Sequence, residues 1–235
     1  MPFLTAEWRK LLMANYEVPP VLLKPYLPAG TELDFWRGRC YVSLVGFMFL
    51  KTRVMGVPIP FHRNFEEVNL RFYVRRNEKR GVVFIREIVP KPVIAWVANA
   101  VYQENYIACR MRHEWTAPEA SKWSVAYEWK PFFGGNWLRF SAIARSGSEP
   151  IKTDSEEEFI TEHYWGYARA SATKTHEYQV DHPRWEAYPV LSHDIRGDFA
   201  RQYGGAFGEI LSQKPESVLL AEGSPVSVLH KQVLR

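Results

Sequence analysis

The residues best placed to do chemistry lie on one short stretch. From Glu67 to Arg75 the chain alternates cleanly, with Val68, Leu70, Phe72 and Val74 on one side and Glu67, Asn69, Arg71, Tyr73 and Arg75 on the other, the pattern of a strand with one apolar and one polar face. A carboxylate, an amide and a guanidinium in one row form an oriented binding set for a small polar or carboxylate-bearing ligand, because the planar fork of arginine reads a carboxylate through two hydrogen bonds. Glu67 and Arg71 are four residues apart, about 13 Å along a strand, too far for a direct pair. The preceding segment Pro58-Ile59-Pro60-Phe61-His62-Arg63 brings His62 and Arg63 to the entrance of this strand. Facing solvent, the polar row merely meets water. Lining a cavity, it makes a site with Glu67 or His62 as candidate acid or base and with Tyr73 and Tyr106 as buried polar partners, and burial then raises the Glu67 pKa toward the acid–base range.

Other chemistries find less support. Seven histidines (62, 113, 163, 176, 182, 193 and 230) contain no paired metal motif, and no metal or cofactor is expected. Ser146-Gly147-Ser148 lacks the strand–turn–helix context of a serine nucleophile. Cys40 and Cys109 sit in apolar runs and read as buried free thiols. Thirty basic against twenty-six acidic residues is close to balance, and the densest basic run, Arg75 to Arg80, reads as a hairpin tip. A nucleic-acid partner is therefore not expected. No apolar stretch approaches the roughly 20 residues of a membrane span, and Glu7, Arg9 and Lys10 interrupt the start where a signal peptide carries its apolar run, so a soluble, cytoplasmic protein is expected.

The elements that must hold the polar row follow from periodicity. Thr5 with Trp8, Leu11 and Leu12 has helical spacing, and Pro19-Pro20 starts a second short helix that stops before Pro28. Strands are expected at 33–36, 39–51, 67–75, 82–89, 106–115, 122–130, 137–145 and 174–180, and helices at 93–104 and after Ser155, whose Glu158 completes a capping box. Pro58 and Pro60 exclude a central strand at 55–60, and the chain beyond 180 reads as irregular. Hairpin order, without alternating helix and strand, gives a mainly β (α+β) fold: a curved antiparallel sheet closing into a β-barrel-like core with three or four peripheral helices. No linker divides it, so residues 1–235 form one domain. The chain is 15% aromatic, and Trp123, Tyr127 and Trp129 on one strand face are candidate cavity walls.

The series Val18-Pro19-Pro20, Leu27-Pro28-Ala29-Gly30, Tyr41-Val42-Ser43-Leu44-Val45, Gly56-x-Pro58-x-Pro60-x-His62-Arg63 and Glu67-Val68-Asn69-x-Arg71-x-Tyr73-Val74 resembles the YqjF-like proteins, a bacterial family of unknown function. The resemblance covers most of the chain and is most specific between 18 and 75. It implies the acetoacetate decarboxylase fold, an antiparallel barrel around a polar cavity. Those enzymes work through a buried lysine that forms a Schiff base, with a second lysine beside it. The corresponding region, Ala100 to Tyr106, contains no lysine, and the nearest, Lys91 and Lys122, lack a lysine partner. The sequence thus points to a small-molecule-binding barrel that forms no imine. A lysine-independent lyase or hydrolase on a small carboxylic acid and a protein-interaction module are the alternatives, and a homo-oligomer is compatible with each.

Overall fold

The structure, a computed structural model, describes residues 1–119, 121–131 and 134–234, side chains at 117–119 aside. The chain opens with β1 (Leu4–Val18), a turn of helix α1 (Pro20–Leu23), the short β2 (Glu32–Leu33) and the long β3 (Cys40–Val54). Then come β4 (Val57–Pro58), β5 (Phe65–Arg76), β6 (Lys79–Val89), helix α2 (Pro92–Tyr102) and β7 (Tyr106–Ala108). Strands β8 (Arg110–Glu119), β9 (Lys122–Lys130) and β10 (Leu138–Arg145) follow. After β11 (Glu149–Pro150) and α3 (Glu156–Thr161) the chain forms β12 (Trp165–Arg169), β13 (Thr175–Asp181), β14 (Glu186–Tyr188) and β15 (Val190–Arg196). It ends with helices α4 (Ala200–Tyr203) and α5 (Gly205–Leu211) and strands β16 (Ser217–Val228) and β17 (Gln232–Leu234).

Seven strands close into a ring in the order β1-β3-β5-β6-β12-β13-β16 and back to β1. All of these pairings are antiparallel except β6 with β12, which is parallel. A second sheet, β15-β10-β9-β8, packs on the outside. The alternation of β5 is used on both sides. Val68, Leu70, Phe72 and Val74 join Val125, Tyr127, Trp129 and Phe140 of the second sheet in one core, with Phe199, Phe207 and Leu211 of the terminal helices and the residue before them closing it. The inner face of the ring forms another core around Leu11, Val45, Phe47, Phe65, Tyr73 and Val89.

Four expectations are revised. Residues 5–12 form a strand, because β1 is a central strand covered on both faces: Leu11 and Met13 point into the ring, Leu12 and Ala14 into the outer core. Such a strand reads as a continuous apolar run. A bulge at Arg9–Leu12, with Lys10 at φ 54°, also resets its phase, which produces the i, i+3, i+4 spacing that mimics a helix. The chain beyond 180 is not irregular. Gly223 and Pro225 punctuate β16 like breakers, yet this strand pairs with β1 from Leu4 to Asn15. Gly223 (φ 81°) lies so close to β1 that a Cβ there would stand 2.0 Å from the Trp8 carbonyl oxygen, an approach only glycine allows. The 33–36 strand shortens to β2, which pairs with β5 while Trp36 bridges Arg39 across the Arg37-Gly38 turn. The described residues form five helices, where three or four were expected.

Candidate functional site

The polar face of β5 looks into a cavity of about 240 Å³ inside the ring, to which all seven ring strands and α2 contribute side chains. This is room for roughly eight waters' worth of liquid, the scale of a small metabolite. Ile59 and Val93, both exposed, lie on its rim, and Phe61 and Trp96, 90% and 71% exposed, stand on the same loop and helix.

Glu67 is 2% exposed and held from two sides: Asn69 Nδ2 donates to its Oε1 (2.9 Å), and the Tyr106 hydroxyl donates to its Oε2 (3.0 Å). Two further carboxyls share the cavity. Glu87 on β6 lies directly across from Asn69 and beside Tyr106 of β7. Glu104, just after α2, accepts from the Tyr178 hydroxyl at 2.8 Å. Tyr178 reaches the cavity because Gly166 leaves space for its ring: a Cβ on Gly166 would stand 2.1 Å from it. Desolvation is the main cause that pushes Glu67 up to about 7 and Glu104 up to about 8, with the Glu67 charge adding to the rise at Glu104. Burial, then the charges of Glu104 and Glu67, drives Glu87 well above the usual carboxylate range. The same burial and the facing carboxylates raise Tyr106.

Arg71 is the guanidinium of this cavity. The last turn of α3 fixes it: Nη2 donates to the Ile160 carbonyl (3.3 Å), one of the helix-end oxygens left without an intrahelical donor. The capping box sets that helix, Ser155 Oγ accepting from the Glu158 amide at 3.1 Å. Beside Arg71 lies His163, whose Nε2 is 3.7 Å from Asp34 and 3.3 Å from Arg80. Burial, with Arg80 and Arg71 adding, pushes His163 down to about 4 despite Asp34, so its ring is neutral near neutral pH.

The structure thus brings together Glu67, Asn69, Arg71 and Tyr106, with His62 at the rim, where its Nδ1 contacts the Pro60 carbonyl at 2.8 Å. Arg63 is exposed and outside the lining. Tyr73 is on the inner face but below the cavity, bonded to Ser43 Oγ at 2.6 Å and packed on Phe159 and His163. Tyr127 and Trp129 belong to the outer core, and cavity walls come from rings such as Phe47, Phe49, Phe65 and Trp185.

Sequence reading missed Glu87, Glu104 and His163. Extending the inward alternation of Val82 and Phe84 selects Arg86, but a bulge opposite Leu70–Arg71 shifts the phase and turns Glu87 inward. Glu104 follows Gln103, a left-handed residue (φ 57°) that ends α2; its one signal was an acid in the stretch where the resemblance implies lysine. None of the described residues lining the cavity is a lysine; Lys91 is half-buried and Lys122 exposed elsewhere. Among the described residues no group of three His, Cys, Asp or Glu is arranged to hold a metal, and no helix is long and apolar enough to cross a membrane.

The ring of strands is similar in fold to the acetoacetate decarboxylases. The acetoacetate decarboxylase of Legionella pneumophila superposes with a TM-score of 0.68 at 12% identity, covering 100% of this chain and 88% of that one. An acetoacetate decarboxylase-like enzyme of Sphingomonas wittichii RW1 gives 0.68 at 11%, over 100% and 94%. The enduracididine biosynthesis enzyme MppR gives 0.66 at 13%, over 100% and 88%. The chain belongs to the DUF2071 family of uncharacterized conserved proteins, whose model matches residues 5–225. The uncharacterized protein YqjF of Bacillus subtilis (strain 168) is 30% identical over 108 residues, which span 46% of this chain and 45% of that relative.

Proposed function

We propose that this protein binds a small carboxylate-bearing molecule in the ring cavity, with Arg71 as the counter-charge, Glu67, Asn69 and Tyr106 as the polar wall, and without an imine. The observation that carries this reading is the inward direction of the Glu67–Asn69–Arg71 face. Its charge balance supports it. Burial favours the neutral form of the three carboxyls, which leaves the Arg71 guanidinium to answer a ligand carboxylate. MppR, similar in fold, has been described in complex with pyruvate and with a condensation product of pyruvate and imidazole 4-carboxaldehyde.

A second reading, acid–base chemistry on the bound acid, draws on Glu67. A carboxyl near 7, held by an amide and a phenol, is matched to proton transfer at neutral pH. His62, at the rim, is further from the carboxyl cluster by position and suits substrate entry.

Thermal-shift measurements with pyruvate and 4-methylpentanoate test the binding reading. At least one raises the melting temperature of the wild type and fails to do so for Arg71→Ala. An equal rise in Arg71→Ala removes Arg71 from the site. Borohydride treatment with a 3-keto acid leaves the protein mass unchanged; an adduct on any lysine overturns the imine-free mechanism.

A further inference from the structure

Among the described residues, the cavity lining contains six buried side-chain atoms without partners, Trp8 Nε1, Thr52 Oγ1, His163 Nδ1, Asn69 Oδ1, Glu87 Oε2 and Arg71 Nε, and the last three fall on adjacent inward positions of β5 and β6. Glu87 Oε2 and Asn69 Oδ1 are buried acceptors with no hydrogen-bond partner among the described residues, on residues each 2% exposed. Arg71 Nε is a buried donor in the same condition, on a residue 8% exposed. Buried polar groups are almost always satisfied, so each such orphan marks where a ligand's complementary group belongs.

Their placement is ordered. Asn69 and Glu87 are Cα partners across β5 and β6, which puts their Cβ atoms about 5 Å apart on the inner face. Arg71 is the next inward residue along β5, about 7 Å from Asn69. Two acceptors at one end and a guanidinium donor at the other call for a ligand with a cation or donor at one end and an anion at the other. An α-amino acid holds its ammonium and carboxylate one carbon apart, and with a hydrogen bond of about 2.9 Å at each end its reach is of the same order as this Cα separation. Charge points the same way. Three carboxyls face one guanidinium in a cavity whose described lining contains no lysine, and the nearby imidazole of His163 contacts Asp34 and Arg80 through Nε2. A ligand ammonium favours the charged form of Glu87 that burial disfavours, the displaced proton going to solvent, and the ligand carboxylate answers Arg71. The rest of the lining is mostly apolar and aromatic: Phe47, Phe49 and Phe65 on one side, Val82, Phe84 and Trp165 on the other.

We infer that the ligand is a free α-amino acid with an apolar side chain, its ammonium between Glu87 and Asn69 and its carboxylate on Arg71. This deepens the carboxylate-binding reading above and rests on it.

Three probes that differ only in their polar ends separate the two claims: leucine, 4-methylpentanoate, which lacks the ammonium, and 3-methylbutylamine, which lacks the carboxylate. Calorimetric titration of the wild type at pH 7 is expected to show leucine binding at least about tenfold more tightly than either, the scale of one charge-assisted hydrogen bond. In Glu87→Gln, an isosteric change, leucine falls to the affinity of 4-methylpentanoate, whose own binding stays within about threefold of wild type. If 4-methylpentanoate binds and leucine binds no better, the amino-acid inference is overturned while the carboxylate reading stands. If leucine keeps its advantage in Glu87→Gln, Glu87 is not the ammonium site and the inference fails as stated. If neither acid binds, both fall. The three-probe comparison on the wild type needs no variant to fold.

Discussion

The two faces of β5 are covered by protein and differ in what covers them. On the outer face, Val68, Leu70, Phe72 and Val74 meet a second sheet and are all fully buried among hydrocarbon. On the inner face, the five residues from Glu67 to Arg71 hold a carboxyl, an amide and a guanidinium nearly as deeply, next to a cavity. The outer face gains stability from close packing. The inner face gives some of it up, because desolvating three carboxyls without matching cations is unfavourable to the charged form. One strand therefore carries the fold with one side and a site that is under electrostatic tension with the other.

Truncating the outer face gives the largest expected effect. Phe72→Ala loses about 3–5 kcal/mol of stability, from lost transfer and the cavity left behind, as urea unfolding would record. Ligand response in the surviving folded protein stays intact, since Phe72 points away from the ring interior. Loss of ligand response with unchanged stability would invert the comparison.

On the inner face the direction reverses. Glu67 is raised from 4.5 to about 7 by burial, so the folded state holds its proton more tightly than the unfolded chain. Its stabilising effect relative to the charged form is complete below about 4.5 and is lost as pH rises through 7. Glu104, raised to about 8, extends that loss upward. Wild-type stability is accordingly expected to decline between about pH 5 and pH 8.5, and Glu67→Gln, which never ionises, to be more stable than wild type at pH 8.5 by on the order of 1–3 kcal/mol and close to it at pH 5. Thermal melts at the two pH values decide the matter; a variant less stable at both would mean that Glu67 is a satisfied structural anion.

The same protonation governs binding. A carboxylate ligand competes with ionised glutamates, so 4-methylpentanoate is expected to bind about tenfold more tightly at pH 6 than at pH 8.5. Tyr106→Phe removes one donor to Glu67 and is expected to shift its titration further up while costing about 1 kcal/mol. Arg63→Ala, at an exposed position outside the cavity, should change neither stability nor binding by more than about 0.5 kcal/mol.

Where the chain alternates strictly, the sequence was readable: β5, the hairpin to β6, the capped helix at Ser155 and the existence of a polar row all follow from side-chain period and turn chemistry, whereas the direction that row faces does not. Where a bulge intervenes, it was not. The bulge at Arg9–Leu12 turned a central strand into an apparent helix, and the one opposite Leu70–Arg71 hid Glu87 by swapping it with Arg86. Gly223 and Pro225 hid β16. Trp123, Tyr127 and Trp129 were legible as a strand, yet which of the two cores they fill depends on how the second sheet packs, and no local pattern encodes that. The resemblance helped differently, by marking 100–106 as a place where a lysine is absent and Glu104 is present.

The central claim is that the inner face holds a cluster of buried carboxyls that titrate far from their ordinary range. Carbon-13 NMR titration of the glutamate side-chain carboxyls reads this directly. The account predicts one carboxyl titrating near 7, a second near 8 and a third, Glu87, displaced upward with them, while Glu7, hydrogen-bonded to Lys51 and Arg9 at the rim of β1, titrates below 4.5. Titration of every glutamate within about one unit of 4.5 would contradict it.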